Sequence, residues 1–497
     1  MTDAGLLSPG THRGDAHTDD TAVLQALLDV EAAWVAAQAD AGLAPPAAAG
    51  AARAAARAED YDAVDVARRA EGGGNPVIPL LADYRRRLEQ LDPGAVRFVH
   101  RGLTSQDVMD TAMMLVLRRA SVPLGRQLRA TAEALARLVE AHRGTVQAAR
   151  TLTQHALPST FGLKAAGWLA GLQDLEQDVA GLGRLPVAYG GAAGTLAGSL
   201  ALFPGAPDAA EQAVDLARRW ADELGLGTPP HVWHTSRRPV LRSAETLGAV
   251  CAALGRIAND VLLLSRPELG ELREPAAEGR GVSSAMPQKQ NPVLSVLLRR
   301  TALTAPQLVA QLHLAASQYV DERPDGAWHT EWPALRELAR LAVAASSHAQ
   351  ELTAGLGVDT ARMRANLDAS GPAVLAERIS AALAPLLGPG PDGATGRQRV
   401  QAVVREHATD REGMLEALLD LTAGTVLADG TPVDRGLVAD LLDPAGYLGA
   451  NDLLIDRVLA RHRRGADAPP AAPGTPAGAA DHDAAGGPAG LTPRSSA

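Results

Sequence analysis

Residues 111–141 read TAMMLVLRRASVPLGRQLRATAEALARLVEA, and this stretch decides the fold. Its apolar residues recur every three or four positions, with charged residues between them, which predicts an amphipathic helix. Other long Ala- and Leu-rich stretches with few helix breakers follow along the chain. Long helices of this kind bury their apolar faces against one another, so the pattern indicates a helical bundle.

The same periodicity predicts eight further helices. They are residues 21–41, 47–71, 77–91, 160–182, 209–224, 243–264, 293–318 and 334–352. Clusters of Pro and Gly at 355–358 and 388–393 separate a smaller helical part. We therefore expect four parts, which are a helical N-terminal domain (1–110), a central long-helix bundle (111–355), a helical C-terminal domain (356–464) and a disordered tail (465–497). The tail is mostly Ala, Gly, Pro and Asp and cannot bury apolar surface.

Composition agrees with a helical fold. Of the 497 residues, 46% are hydrophobic but only 3% are aromatic. Alanine and leucine dominate, which suits close-packed helices better than a sheet rich in Val, Ile and Tyr. The predicted fold class is all-α. A formal net charge of −10 gives no electrostatic footprint for nucleic acid or anionic lipid, so local arginines would have to attract an anionic substrate.

The sequence also excludes several kinds of site. Cys251 is the only cysteine, which rules out a disulfide framework and a thiolate metal cluster and fits the cytoplasm. Residues 1–20 lack a signal-peptide pattern, and we expect no membrane span. His231 and His234 have no carboxylate or thiolate at a ligand spacing, so no metal is predicted. The glycines of 190–194 lack phosphate-loop spacing, and no cofactor is predicted.

The segment 281–292, GVSSAMPQKQNP, is predicted to be a loop because glycines precede it and prolines interrupt it. Removing a proton from a carbon beside a carboxylate requires a base at the carbon and donors at the oxygens. Ser283 can be that base, although serine needs help to ionise, and Lys289 with Asn291 can hold the oxyanion. The alternative is a solvated loop with an ordinary surface lysine.

Three other polar patches lie between predicted helices. Thr104 and Ser105 are placed to cap a helix, and a helix start also binds carboxylates. His155 lies in a polar segment at 150–160, where a lone histidine is more often a hydrogen-bonded residue than a catalyst. Arg237 and Arg238 open a predicted helix against its dipole, which indicates a nearby anion or else a solvated corner. The aromatic cluster at 328–332 is expected to pack the bundle end.

The loop sequence resembles the signature Gly-Ser-Ser-x-Met-Pro-x-Lys-x-Asn of the fumarase, aspartase and adenylosuccinate lyase superfamily, with Ser283 at its catalytic serine. The segment 100–107 matches the superfamily pattern His-x-Gly-x-Thr-Ser-x-Asp. The resemblance covers about residues 5 to 460. It implies a long-helix bundle assembled as a homotetramer, with each active site drawing on three subunits. The residues that it assigns to catalysis are Ser283, Lys289 and His155, and those that it assigns to substrate binding are Thr104, Ser105, Gln154, Arg237, Ser284 and Asn291.

Three positions depart from the superfamily pattern. Val282 replaces a glycine beside the catalytic serine and restricts the backbone there. Leu152 stands where many members have a histidine that helps to protonate the leaving group. Gln290 replaces an arginine that is usual in the branch that this chain resembles most, the bacterial 3-carboxy-cis,cis-muconate cycloisomerases, and so removes one cation.

Three functions remain open on this resemblance. The first is a lyase that eliminates nitrite from nitrosuccinate, because nitrosuccinate lyases belong to the same branch and nitrite departs without a proton. The second is muconate cycloisomerisation with the same machinery. The third is a structural relative that has lost catalysis. The expected partner is a small dicarboxylate substrate.

Overall fold

The computed structural model describes residues 5–467, and the chain is all-α as predicted. Nineteen α-helices and four short strands occur within these residues. The helices are α1 His12–Thr18, α2 Asp20–Asp40, α3 Pro46–Ala55, α4 Ala63–Ala70, α5 Val77–Leu91, α6 Ser105–Ala141, α7 Phe161–Gln173, α8 Glu176–Gly181, α9 Ala197–Leu200, α10 Ala209–Leu224, α11 Arg238–Leu264, α12 Val293–Ala316, α13 Gly326–Ala354, α14 Thr360–Asp368, α15 Ala376–Leu383, α16 Gly396–Glu406, α17 Arg411–Leu421, α18 Arg435–Leu441 and α19 Asn451–Asp467. The strands are β1 Val146–Thr151, β2 Gln154–Thr160, β3 Leu272–Arg273 and β4 Gly357–Val358.

Four long helices form the bundle. Helix α13 packs against α6, α11 and α12, and α11 also packs against α12. Helix α6 has 37 residues, which gives a length of about 55 Å at the usual rise per residue. Helices α6 and α13 run parallel, because Asp110 contacts Trp328 near their starts and Gln127 contacts Ser346 further along. The bundle therefore has one end at the starts of α6 and α13 and the other end near their last turns.

Two of the predicted helices are wrong as single elements. The segment 47–71 divides into α3 and α4, because Ala56 leaves the helical conformation and Asp62 caps α4 by accepting from Val64 N and Asp65 N. The segment 160–182 divides into α7 and α8 at Asp174 and Leu175. Three of the predicted bundle helices, α6, α11 and α13, begin earlier than expected. Polar residues in their first turns interrupt the apolar periodicity on which the prediction rested.

The polar segment before α7 is a β-hairpin that the sequence analysis did not predict. Strands β1 and β2 pair antiparallel, with Val146 opposite Thr160 and Thr151 opposite Gln154. The other sheet joins β3 to β4. Period-two alternation is weak in these strands, and for this reason only pairing in the folded chain reveals them.

The apolar side chains form two cores. The larger core fills the bundle and includes most of the buried residues between Leu24 and Leu356. A smaller core spans Leu375–Leu442 in the C-terminal part, although Met363 and Ile455 belong to the larger core. The four-part division stays a prediction, and α19 packs back on α7. The expected tail begins inside α19, and its residues 468–497 lie outside the described part of the chain.

Contrary to expectation, two stretches are long and apolar enough to cross a membrane by length and composition alone. They are His12–Asp40 and Arg238–Leu264, and 72% and 50% of their apolar windows is buried inside the fold. Core helices of a bundle pass the same test, so this is weak evidence for a membrane span.

Candidate active site

The start of α6 is built around the buried carboxylate of Asp107. Thr104 is the N-cap, and its backbone N–H donates to Asp107 Oδ2 over 2.9 Å in a capping box. The N–H groups of Gly190 and Gly191 also donate to Asp107, over 2.8 and 3.1 Å, and His234 Nε2 lies 2.8 Å from Asp107 Oδ1. One side chain thus joins the helix start, the glycine-rich turn and the segment before α11.

Thr104 and Ser105 lie at the N-terminal start of α6. Thr104 is buried and Ser105 is half-buried at the N-terminal end of a long helix. The free N–H groups and the dipole of such an end favour an anion. The capping interpretation holds for Thr104, and it is compatible with carboxylate binding, which stays a prediction.

Arg237 is buried between two carboxylates of its own chain. Its Nη1 and Nη2 donate to both oxygens of Asp110 over 2.7 and 2.9 Å. Its Nη2 and Nε donate to Glu331 over 2.6 and 3.1 Å. Burial raises the pKa of Glu331 although Arg237 acts in the opposite direction. Two acids around one guanidinium leave an excess of negative charge, and this keeps the arginine charged.

These contacts identify the anion that the arginine pair predicted. It is formed by Asp110 and Glu331, which the sequence analysis did not single out as partners of Arg237. Direct substrate binding by Arg237 stays a prediction, but its occupied donors favour a structural role at the start of α11. The neighbouring Arg238 is exposed and pairs with Glu245, so for that residue the solvated-corner interpretation holds.

The aromatic cluster at the start of α13 does more than fill space. Trp328 and Trp332 are in edge contact, with ring centroids 4.6 Å apart, as expected for packing. Trp328 Nε1 also donates to Asp110 Oδ1 over 2.8 Å. Together with Glu331, the cluster therefore completes the buried polar network at this end of the bundle.

The hairpin of β1 and β2 carries Leu152 at its exposed tip. Leu152 and Thr153 both have positive φ, +48° and +70°, in a two-residue turn. Such turns favour Asn and Gly, so a leucine and a β-branched residue are strained there. Leu152 is 94% exposed within the chain. Gln154 and His155 follow directly, and both are exposed.

Contacts next to the tip of the hairpin fix its direction. Arg150 forms a two-pronged ion pair with Glu271, which is fully buried and also accepts from Asn366 Nδ2 over 2.8 Å. His155 Nδ1 lies 2.5 Å from Ser370 Oγ. His155 is thus hydrogen-bonded, as expected of a histidine without a catalytic role. Its side chain is nevertheless exposed and accessible to a ligand.

The serine loop, residues 281–292, closes on itself. Ser283 Oγ accepts from Met286 N over 3.1 Å and from Ala285 N over 3.4 Å. Backbone N–H donors of this kind stabilise negative charge on an oxygen, as a serine base requires. Ser284 and Lys289 are exposed, and no acidic partner of Lys289 occurs within residues 5–467.

Asn291 forms the neck of the serine loop. Its backbone N and its side-chain Nδ2 both donate to Gly281 O, over 2.9 and 3.1 Å. Gly281 has φ +73°, and a Cβ there would lie 2.6 Å from Asn291 O. A glycine is therefore required at 281, whereas Val282 projects outward and is 64% exposed.

The structure does not bring the three patches together within one chain. The Thr104 patch lies at the start of α6 and the hairpin follows the other end of this helix, and the two helix ends are about 54 Å apart. Glu331 contacts the Arg237 cluster and Glu351 contacts Arg280 at the loop, and these two glutamates are about 30 Å apart along α13. The three residues from Arg280 to Ser283 span at most about 11 Å, so the loop cannot close this gap.

Comparison with known proteins identifies the family of this chain. The sequence pattern of a protein family described as "Lyase" matches residues 16–306. The chain belongs to this lyase family, within the fumarase, aspartase and adenylosuccinate lyase superfamily. The lyase is 45% identical over 469 residues to a nitrosuccinate lyase of Streptomyces davaonensis, covering 92% of this chain and 95% of that protein.

Two further relatives come from the cycloisomerase branch. The lyase is 40% identical over 445 residues to a 3-carboxy-cis,cis-muconate cycloisomerase of Pseudomonas aeruginosa, covering 89% of this chain and 93% of the other. The crystal structure of a 3-carboxy-cis,cis-muconate lactonizing enzyme from Pseudomonas putida superposes with a TM-score of 0.81 at 33% identity, covering 93% of the lyase and 99% of that chain. The recognition of the superfamily from the sequence is thus confirmed.

Lysine usage gives a signal for Lys289 that the sequence analysis missed. The chain has 47 basic residues, and only Lys164 and Lys289 among them are lysines. An ordinary surface cation in this lyase is therefore an arginine. A lysine at 289 supplies a compact ammonium with three freely rotating donors. This favours a functional role over the alternative of an ordinary surface lysine in a solvated loop.

Proposed function

We propose that the lyase eliminates nitrite from nitrosuccinate and releases fumarate. Leu152 and Gln290 together carry this proposal. The exposed hairpin tip presents a hydrocarbon where many superfamily members have a proton donor, and although the cycloisomerases of the branch usually have a hydrocarbon there too, they also have the cation that Gln290 replaces. A leaving group that departs as a stable anion needs no such donor. The identity of 45% to a nitrosuccinate lyase over nearly the full length supports the same substrate.

In this reaction Ser283 Oγ takes a proton from the methylene carbon of the substrate. The electrons of the C–H bond form the carbon–carbon double bond, and nitrite leaves with the electron pair of the C–N bond. Lys289 and Asn291 stabilise the charge that develops on the adjacent carboxylate before nitrite departs. Thr104, Ser105, Gln154 and Ser284 hold the two carboxylates, and His155 assists as an acid or as a further carboxylate ligand. These steps require no cofactor.

We propose that the enzyme is a homotetramer with active sites shared between subunits. The Thr104 patch lies too far from the hairpin and the serine loop of its own chain to act with them on one small substrate, so more than one copy must contribute to a site. Helices α11 and α12 also expose large apolar side chains, namely Leu263, Val296, Leu303 and Leu314. Exposed apolar faces on long helices are suited to a shared bundle. We expect the assembly to act in the cytoplasm, in a natural-product pathway such as antibiotic biosynthesis.

The second candidate is 3-carboxy-cis,cis-muconate cycloisomerisation, which the identity of 40% to such an enzyme favours. Gln290 is an argument against it, because a substrate with three carboxylates loses more from a missing cation than one with two. The third candidate is a structural relative without catalysis. The joint presence of Ser283, Lys289 and Asn291 opposes it.

One assay separates these candidates. The purified protein is incubated with each substrate, and nitrite is followed by its colour reaction and the muconate by its ultraviolet absorbance. We expect nitrite release together with fumarate in equal amounts. Turnover of the muconate without nitrite release would support cycloisomerisation, and turnover of neither would support the structural relative.

A further inference from the structure

The root of the serine loop is held by one arginine between two glycines. Gly279 and Gly281 have positive φ, +72° and +73°, a backbone conformation that glycine adopts readily and other residues rarely do. The Arg280 side chain is only 18% exposed and forms an ion pair with Glu351 through Nη2. The ion pair thus holds the backbone of the loop in place three residues before Ser283.

Glu351 binds a second arginine at the same time. Its Oε2 accepts from Arg13 Nη2 over 2.9 Å, and Arg13 Nη1 donates to Ser347 Oγ over 3.1 Å. Burial acts to raise the pKa of Glu351, but Arg13 and Arg280 outweigh it and the pKa is lowered. The carboxylate is therefore charged, and it joins α1, α13 and the loop root.

No comparable anchor holds the part of the loop beyond its neck. From Ser284 to Gln290 every residue is exposed, and Ser283 itself is half-buried. The hydrogen bonds of Ser283 Oγ go to residues of the same loop, so they fix the shape of the loop but not its place. The place of the serine depends on the neck and on Arg280.

We propose that Glu351 is a positioning residue for Ser283, which it places by binding Arg280 while Arg13 holds it to the N-terminal helix. This inference rests on the proposed role of Ser283 as the base. Glu351 does not touch the substrate. A base that is displaced by about 1 Å loses up to about 10²-fold in rate, whereas carboxylate binding by Thr104 and Ser105 is unaffected.

The chain offers a matched control for this ion pair. Arg340 on α13 donates to Asp15 on α1 through Nε over 2.6 Å. The side chains of Arg340 and Asp15 are 15% and 35% exposed, close to the 18% and 35% of Arg280 and Glu351. The Arg340–Asp15 pair joins the same two helices but does not contact the loop, so D15N loosens α1 without releasing Arg280.

The first measurement is the steady-state kinetics of nitrite release by the tetramer. We expect E351Q and R280Q each to lower kcat by about 10- to 100-fold with KM within about threefold. The double variant is expected to match the single variants, because both remove the same interaction. D15N keeps kcat within about twofold of the unsubstituted enzyme. Equal losses in D15N and E351Q would overturn the proposal, as would unchanged kcat in E351Q.

The second measurement does not depend on turnover. A lysine-specific endopeptidase has only Lys164 and Lys289 as targets, and Lys164 lies inside helix α7. Cleavage at Lys289 yields fragments 1–289 and 290–497. We expect cleavage there to be faster in E351Q and R280Q than in D15N, and equal rates in all three would contradict the proposal. If the unsubstituted protein releases no nitrite, but cleavage at Lys289 is still faster in E351Q and R280Q than in D15N, then Glu351 holds the loop as proposed and only the proposed function fails.

Discussion

The buried cluster at the start of α6 and the serine loop differ in how the chain holds them. Asp107, Asp110, Arg237 and Glu331 are almost fully enclosed and are bound by residues of at least three helices and a glycine-rich turn. The residues of the loop beyond Gly281 are exposed or half-buried and bind mainly one another. The proposed carboxylate-binding region is thus preorganised within one chain, while the loop that carries the proposed base has few contacts with the rest of its chain.

The largest effect that we predict tests the rigidity of the buried half. R237M removes the cation between Asp110 and Glu331 and leaves two buried carboxylates without a cationic partner. Breaking a buried ion pair of this kind costs about 3–5 kcal/mol of stability. Urea denaturation should show it as a lower midpoint, with R238M, at the exposed neighbour, as the control. A midpoint for R237M equal to that of R238M would mean that the cluster does not stabilise the fold.

The next effect should fall on activity alone. S283A removes the proposed base, and loss of a general base lowers kcat by about 10²–10⁴-fold. Because Ser283 lies in a loop that binds mainly itself, the melting temperature should remain within about 2 °C, in line with the small stability effects of exposed substitutions. Nitrite release and calorimetry on the same preparation measure both quantities. Retained activity would remove Ser283 from the mechanism.

A smaller effect concerns the packing behind the loop root. His348 is buried against Gly10, and burial together with the nearby Arg13 lowers its pKa to about 4. The folded state therefore binds this proton more weakly than the unfolded state, so stability is full above pH 6.5 and falls as the pH drops towards 4.

Comparison of H348Q with the unsubstituted protein isolates this contribution. Between pH 6.5 and 4.5 we expect the unsubstituted protein to lose about 1–2 kcal/mol more than H348Q. Chemical denaturation at several pH values measures the difference. Parallel pH profiles for the two proteins would show that His348 does not titrate in this range.

The smallest predicted effect lies at the hairpin tip. Leu152 has φ +48° and buries almost nothing within its chain. L152N should raise stability by about 0.5–1 kcal/mol, because asparagine tolerates the left-handed conformation better than leucine does. L157N, at a nearby exposed strand position, is the control. A destabilised L152N would indicate that the leucine packs against another subunit. The hairpin tip would then depend on the assembly for its stability, unlike the buried cluster, which one chain holds by itself.

Much of the fold could be predicted because apolar periodicity is a local property. The helices α5 and α10 match their predicted bounds, since their apolar stripes and helix ends lie in the sequence itself. The hairpin of β1 and β2 could not be predicted. Its residues have no clear alternation, and it is held by Arg150, which pairs with Glu271, a residue from a distant part of the chain that also accepts from Asn366.

The sequence by itself determined the superfamily, the all-α class and the loop with Ser283, Lys289 and Asn291, because each depends on residue types at short spacings. The tertiary structure decided which charges neutralise one another. Arg237 pairs with Asp110 and Glu331, and Arg280 pairs with Glu351. These partners are far apart in the chain and meet only when the helices pack. The tertiary structure also placed the Thr104 patch tens of Å from the hairpin and the serine loop, because the length of a packed helix, unlike the residues on it, fixes where its two ends can act.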